Sequence, residues 1–142
     1  MAFDVDRLLR LWTDPLPDDD VAAADAFREL YTDPVRVNGT DLTAGDLVGR
    51  ARALQRVFEA PEREVVDVVE GDGKVALAFR LGGRQVGTLT TAAGPLAPTG
   101  RRLQLRVIDV LTLTGGRISA ITMVADELGA LAAVGAVRLP PA

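Results

Sequence analysis

The chain has 142 residues, of which 48% are hydrophobic, and this length and composition predict one domain with a buried core. It carries 16 basic and 20 acidic residues, for a formal charge of −4, and it has no histidine and no cysteine. Disulfides, thiol chemistry and Ser-His-Asp catalysis are therefore excluded, together with the commonest metal ligands. No basic patch alternates with aromatic residues, so nucleic acid is not expected as a partner.

The N-terminal segment MAFDVDRLLRLWTD has acids and arginines among its apolar residues, which is unlike a signal peptide. No apolar run reaches membrane-spanning length. We therefore expect a soluble, cytoplasmic protein with no membrane partner.

Helices are predicted in the first part of the chain. The apolar stripe of the first helix consists of Leu8, Leu9, Leu11 and Trp12. This helix ends before Pro15, and the acids at 18–20 favour the start of a second helix that runs to about Tyr31. Thr43 and Asp46 have the spacing of a capping box for a third helix. That helix presents the apolar residues Leu47, Val48, Ala51, Leu54 and Phe58.

Strands are predicted between and after the helices. Val35 and Val37 indicate a short strand that ends at Asn38-Gly39, which is itself a turn signal. From Glu64 onward, the valine-rich segment Val65-Val66-Asp67-Val68-Val69, a turn at 71–73 and a second alternating segment predict a hairpin. The alternating apolar residues of that second segment are Val75, Leu77, Phe79 and Leu81.

Three later segments are expected to interrupt or end strands. Gly82-Gly83 is either a second turn or a bulge inside a long strand, and the residues alone leave both open. Residues 90–98 are rich in Ala, Gly, Pro and Thr and are expected to form a loop. Gly115-Gly116 is expected to be a hairpin turn, and Asp126 is expected to cap a short C-terminal helix.

Asp109 is the strongest candidate for a functional residue. Side chains two apart in a strand share a face, and on its face Asp109 is the one charged residue among aliphatic ones. Its companions are Leu103, Leu105, Val107, Leu111 and Leu113. Burial raises the pKa of a carboxyl group, so Asp109 is expected to be a neutral acid or hydrogen-bond donor near neutral pH. The alternative is a structural ion pair with Arg80 or Arg84.

The predicted helices followed by an antiparallel sheet indicate an α+β fold. The order of elements from Val5 to Val137 resembles that of SnoaL-like polyketide cyclases, as do four local features. These are the Pro98-Thr99-Gly100-Arg101-Arg102 turn, the Ile108-Asp109 step, the Gly116-Arg117-Ile118 hairpin and the Asp126-x-Leu128-Gly129-x-Leu131 ending. The family lies within the nuclear-transport-factor-two-like superfamily, which includes ketosteroid isomerase.

The resemblance implies a single SnoaL-like domain over residues 1–142. Its fold would be a cone-shaped, curved antiparallel or mixed sheet with three N-terminal helices packed on the concave face and a short C-terminal helix. It also favours the bulge at Gly82-Gly83 and a homodimer built on the outer sheet face.

The resemblance further implies an apolar small-molecule substrate inside the cone, with Asp109 as the catalytic residue. The predicted pocket residues are Trp12, Tyr31, Asn38, Leu54, Phe58, Phe79, Leu105, Val107, Leu111 and Met123. Other catalytic positions of the relatives have changed. Met123 and Asp109 replace the aspartate and histidine of SnoaL-like cyclases, while Asn38 and Leu8 replace the base and the tyrosine of ketosteroid isomerase.

We therefore expect a cofactor-independent cyclase or isomerase of polyketide-like secondary metabolism, such as antibiotic biosynthesis. One alternative is a non-catalytic small-molecule-binding or dimerising accessory module, because the usual base is missing. Another is an epoxide hydrolase-like enzyme in which Asp109 and Asn38 hold the water. No metal or redox cofactor is implied, because the sequence has no ligand cluster or phosphate-binding glycine motif.

Overall fold

The structure is a computed structural model that describes residues 2–142. Its helices are α1 (Val5–Thr13), α2 (Asp20–Leu30), α3 (Ala44–Val57) and α4 (Glu127–Ala133). Its strands are β1 (Tyr31–Val37), β2 (Thr40–Leu42), β3 (Glu62–Gly71), β4 (Lys74–Arg84), β5 (Leu89–Thr91), β6 (Gly94–Leu96), β7 (Arg102–Thr114) and β8 (Arg117–Ala125). Among residues 2–142, no helix is both long enough and apolar enough to cross a membrane.

Each helix is capped by a side chain that accepts a hydrogen bond from a free backbone N–H group in its first turn. The caps are Asp4, Asp19, Thr43 and Asp126. Thr43 and Asp46 bond each other's backbone N–H groups, which confirms the predicted capping box. The expected cap at Asp126 is also confirmed, so local sequence fixes where these helices begin.

The main sheet has six strands in the order β2-β1-β8-β7-β4-β3. Strands β1 and β8 run parallel, and the other neighbours run antiparallel. The sheet is mixed, curved and not closed into a barrel, and the helices cover its inner face. Buried residues of β4 and β7 form one apolar cluster with residues of α1, α2 and α3, including Leu8, Phe27 and Leu47. The predicted α+β architecture is confirmed.

Gly82 and Gly83 lie inside β4, so the reading of these residues as a second turn is wrong. Both glycines pair with β7 without a break in register, so the bulge favoured at these glycines is also wrong; the irregularity lies in β3, between Val65 and Asp67. A Cβ atom on Gly82 would stand 2.7 Å from the carbonyl oxygen of Leu103. Close approach of the two strands is therefore the reason for a glycine here.

The expected loop at 90–98 is wrong in part, because the chain there forms a small hairpin from β5 and β6. Leu89 and Thr91 are buried in it, and Leu89 pairs directly with Leu96. Strands this short carry too little alternation to be recognised among Ala, Gly and Pro.

Gln85 anchors this hairpin and the turn that follows it, and its side chain is fully buried. Its Nε2 atom donates to the carbonyl oxygens of Gly87 at 3.1 Å, Leu96 at 3.2 Å and Ala97 at 3.2 Å. Its Oε1 atom accepts from the backbone N–H of Thr99 at 3.2 Å and from the Thr99 hydroxyl at 2.7 Å. One amide thus satisfies backbone groups from both ends of the segment between β4 and β7.

We expect Gln85→Met to lower the free energy of unfolding by roughly 2–4 kcal/mol, because it leaves buried carbonyl and N–H groups without partners. Thr99→Val removes only the hydroxyl, which donates to Gln85 at 2.7 Å and accepts from the N–H of Arg101 at 3.2 Å, and should cost about 1–2 kcal/mol. Urea denaturation of both variants measures the difference. A Gln85→Met variant as stable as the wild type would contradict the anchoring role.

Candidate functional site

Asp109 lies on the inner face of the sheet, near the middle of β7. It pairs directly with Leu77 of β4 on one side and with Met123 of β8 on the other. Only 8% of Asp109 is exposed, and the inner-face neighbours Val107 and Leu111 are buried as well. A carboxyl group therefore stands in an aliphatic environment, as the alternation in the sequence indicates.

In the part of the chain that the structure describes, Asp109 has no partner that would compensate for this burial. Its Oδ1 atom is buried and makes no hydrogen bond within residues 2–142. Arg80 instead pairs with Glu64 at 2.9 Å, and Arg84 pairs with Glu59 at 3.4 Å. Arg80 stands opposite Arg106, whereas Asp109 stands opposite Leu77, so the pleat directs the side chains of Arg80 and Asp109 to different faces. The ion-pair alternative is wrong.

Burial raises the pKa of Asp109 from 3.8 to about 7. The protonated and ionised forms of Asp109 are therefore both well populated at neutral pH. The protonated carboxyl donates a hydrogen bond or a proton, and the ionised carboxylate accepts one. The group is thus suited to acid or base chemistry at neutral pH.

This shift also makes the stability of the protein depend on pH. The folded state holds the Asp109 proton up to about pH 7, whereas the unfolded state loses it near 3.8, so the stability from Asp109 falls as pH rises between these values. We expect Asp109→Asn to remove this pH-dependent fall in the free energy of unfolding. Between the two pKa values the fall amounts to up to about 4 kcal/mol. Chemical denaturation from pH 4 to pH 8 measures it, and parallel curves for the two proteins would contradict it.

Trp12 and Tyr31 form a second polar element next to the inner face. The indole Nε1 of Trp12 donates to the hydroxyl of Tyr31 at 2.8 Å, and Tyr31 is only 3% exposed. The Phe27 ring packs edge-on against Trp12 and tilted against Tyr31, with centroid distances of 5.4 and 5.7 Å. Because the Tyr31 oxygen accepts from Trp12, its own proton remains free to donate elsewhere.

The electrostatics of Tyr31 connect it with Asp109. Burial is the main reason that the pKa of Tyr31 lies above its usual range, and the negative charge of Asp109 raises it further. Tyr31 therefore remains a neutral donor at physiological pH, close enough to Asp109 to feel its charge.

Asn38 lies in the exposed turn between β1 and β2, with a left-handed backbone at φ 48°. Its Nδ2 atom donates to the carbonyl oxygen of Met123 at 3.2 Å, and its Oδ1 atom accepts from the N–H of Met123 at 2.8 Å. The amide is thus committed to the main chain of β8. Asn38 therefore lies next to Met123, which pairs with Asp109, but its amide is not free to bond the Asp109 carboxyl group.

The other predicted pocket residues differ in their positions. Phe58, Phe79, Leu105, Val107 and Leu111 are buried in the core, and Leu54 is partly buried against it. Phe58 lies beside Gly83, at the far end of the inner face from Asp109. The structure therefore brings Tyr31, Leu77 and Met123 near Asp109 and leaves Phe58 away from it.

Solvent reaches the inner face unevenly. Met123 is 37% exposed, whereas Leu77, on the other side of Asp109, is fully buried. Two surface grooves, of about 310 and 290 Å³, lie elsewhere: one around Glu62 and Arg102, the other around Leu11 and Leu16. The side of β8 is therefore where solvent comes closest to Asp109.

Within residues 2–142, no three acidic side chains converge as a metal site requires.

Comparison with known proteins identifies similar domains. The model of the SnoaL-like domain matches residues 5–121. None of the proteins with curated functions matches the chain. A candidate SnoaL-like polyketide cyclase from Jannaschia sp. CCS1 is 21% identical, with 94% of this chain and 92% of that chain covered and a TM-score of 0.68.

Two Streptomyces structures are similar at the same level. IdmH from Streptomyces antibioticus, a candidate polyketide cyclase, is 19% identical over 92% of this chain and 96% of its own, with a TM-score of 0.65. AclR from Streptomyces galilaeus, a candidate hydroxylase, is 16% identical over 96% of this chain and 87% of its own, with a TM-score of 0.69. At these identities the likeness shows the fold and not the reaction.

Proposed function

The chain belongs to the SnoaL-like domain family, and we propose that it is a cofactor-independent cyclase or isomerase acting on an apolar, polyketide-like substrate. The observation that carries the proposal is Asp109, a buried carboxyl group on the inner face of the sheet whose Oδ1 atom has no partner among residues 2–142. Such a group destabilises the protein at neutral pH, and a catalytic role explains its presence there.

In the proposed reaction, protonated Asp109 donates to a substrate carbonyl oxygen, and a carbon nucleophile of the same substrate closes the ring on that carbonyl. The carboxylate that this donation leaves on Asp109 takes the proton lost from the nucleophilic carbon, so the acid is regenerated and the closure needs no oxidant and no second substrate. Acid–base assistance by one positioned group contributes about 10²–10⁴-fold in rate. Holding a flexible chain in its folded geometry contributes up to roughly 7–11 kcal/mol more.

Tyr31 is proposed as a second donor to the same substrate. Its proton is free because Trp12 already occupies its oxygen as a donor, and Asp109 lies close enough to affect its pKa. Trp12 would then be a positioning residue, and the apolar side chains of Val107, Leu111 and Met123 would form the adjoining wall.

We expect Asp109→Ala to lower kcat at least about 100-fold on the substrate found in a panel of linear polyketide thioesters, because it removes the acid. Asp109→Asn keeps a hydrogen-bond donor and should retain more activity than Asp109→Ala. Asp67→Asn, on the exposed strand β3, is the control and should match the wild type. With Asp109 as the acid, kcat falls as pH rises through about 7. Full turnover in both Asp109 variants would remove the assigned role.

The non-catalytic module is the second candidate, and the commitment of the Asn38 amide to Met123 is the observation that favours it. A carrier would bind members of the same panel without forming product. The same bonds weigh against epoxide hydrolysis, because that reading needs the Asn38 amide to hold a water beside Asp109.

We also propose a homodimer through the outer sheet face. Ala78, Ile108 and Val124 are direct neighbours across β4, β7 and β8, and Ile108 and Val124 are 57% and 69% exposed. The same face carries both acids and arginines, including Glu64 and Arg80. A two-fold axis sets a surface against itself, and a surface with both signs of charge around an apolar centre avoids the repulsion that a surface of one sign would meet.

We expect Val124→Glu to convert the dimer to a monomer, because it would bury a charge at the centre of the contact. Val21→Glu, on α2, is a matched control, since Val21 is 66% exposed but outside the sheet. Sedimentation velocity distinguishes the two. A wild-type protein that sediments as a monomer at every concentration would refute the dimer.

A further inference from the structure

We propose that Met123 controls access to Asp109 and thereby sets which substrates reach it, and that Asn38 is the positioning residue that holds Met123 in place. The proposal rests on the proposed function, in which Asp109 acts on a substrate. It adds a determinant of specificity that acts before the chemistry.

Met123 is placed to cover Asp109. The two residues are directly paired between β7 and β8, so their side chains leave the sheet on the same face. In such pairs the Cβ atoms are about 4.5–5.5 Å apart, which a methionine side chain easily spans. The thioether chain is flexible and apolar, so it both excludes water and adapts its shape.

Comparison of the exposed fractions of the residues around Asp109 indicates that Met123 is the barrier between Asp109 and solvent. Asp109 is flanked by fully buried Leu77 on the β4 side and by 37% exposed Met123 on the β8 side. Val107 and Leu111 close the inner face above and below it on β7. A molecule that approaches Asp109 along the sheet from solvent therefore meets Met123 first.

The Asn38 side chain replaces a missing strand at this position. Pairing of β1 with β8 ends at Val37 and Ile121, after which the chain turns away into β2. The N–H of Asn38 still bonds the carbonyl oxygen of Ile121 at 2.9 Å. Its side-chain amide then bonds both the N–H and the carbonyl oxygen of Met123, as the next peptide groups of a strand would do.

This arrangement fixes the main chain of Met123 while its side chain stays free of the sheet's hydrogen bonds. A side chain that must move to admit a substrate needs such a fixed base, because otherwise β8 itself would shift. The charged and titratable groups around Asp109 stay the same when Met123 is changed. Tyr31 is the titratable neighbour that senses its charge, and the paired residues Leu77 and Met123 are apolar.

The test measures access to Asp109 in the intact protein without any substrate. A water-soluble carbodiimide with glycine ethyl ester modifies accessible carboxyl groups at pH 5, and peptide mass spectrometry of the products gives the rate at Asp109. We expect Met123→Ala to raise this rate at least about fivefold and Met123→Phe to lower it, whereas Met123→Leu stays within twofold of the wild type. Opposite effects of Ala and Phe separate access from general unfolding, which would raise the rate in both.

The role of Asn38 is tested by a pair of substitutions. Asn38→Gly keeps the left-handed backbone but removes the amide, so the rate at Asp109 and the hydrogen exchange of the Met123 N–H should both increase. Asn38→Asp keeps the oxygen that accepts from Met123 and should lie between Asn38→Gly and the wild type.

Equal modification rates in wild type, Met123→Ala and Met123→Phe would overturn the proposed role of Met123. They would do so even if Asp109→Ala were inactive, a result that supports the proposed function alone. Conversely, full turnover by Asp109→Ala would end the proposed function, while the modification rates would still decide whether Met123 controls access. An unchanged Met123 N–H exchange in Asn38→Gly would overturn the positioning role of Asn38.

Discussion

The pleat of β7 is the constraint on which the candidate site depends. This strand has 13 residues and is paired on both sides, so every second side chain must enter the interior while the others face outward. Shifting the register by one residue would bring Arg106, Ile108 and Val110 inside and expose the leucines. The aliphatic residues on one face therefore hold Asp109 in the core, although a carboxylate alone would remain in water.

Other aspartates in the same protein show that environment, and not residue type, decides the chemistry. Asp33 accepts from the Arg28 guanidinium and from the backbone N–H of Ala44, and both lower its pKa. Bonds from the Gly129 N–H and Arg106 similarly lower the pKa of Asp126. Asp109 receives no such bonds, so desolvation alone acts on it and moves its pKa in the opposite direction. The first two stabilise the starts of α3 and α4, whereas the third has no such bond within residues 2–142.

Much of the fold could be predicted from sequence because its signals are local. The capping box at Thr43, the cap at Asp126 and the alternation around Asp109 each depend on residues a few positions apart. The site depends on pairing across the sheet, which single-sequence patterns do not contain. Asn38 and Met123 are 85 positions apart, and Trp12 and Tyr31 belong to different elements.

The same limit explains the expectations that were wrong. An ion pair between Asp109 and Arg80 looked reasonable until the register placed Arg80 opposite Arg106, on the other face. The role of Gln85 gives no signal in the sequence, because nothing nearby in the chain shows that its partners come from Leu96, Ala97 and Thr99. Tertiary pairing turned an ordinary polar residue into a fully buried anchor.

The bond between Trp12 and Tyr31 has an optical consequence. The sequence contains one tryptophan and one tyrosine, and they are these two residues. Near-ultraviolet absorption and intrinsic fluorescence therefore come mainly from a single hydrogen-bonded chromophore pair, in which Tyr31 senses the charge of Asp109. The protein carries its own spectroscopic probe at the inner face, and a ligand that enters there can be followed by emission without any label.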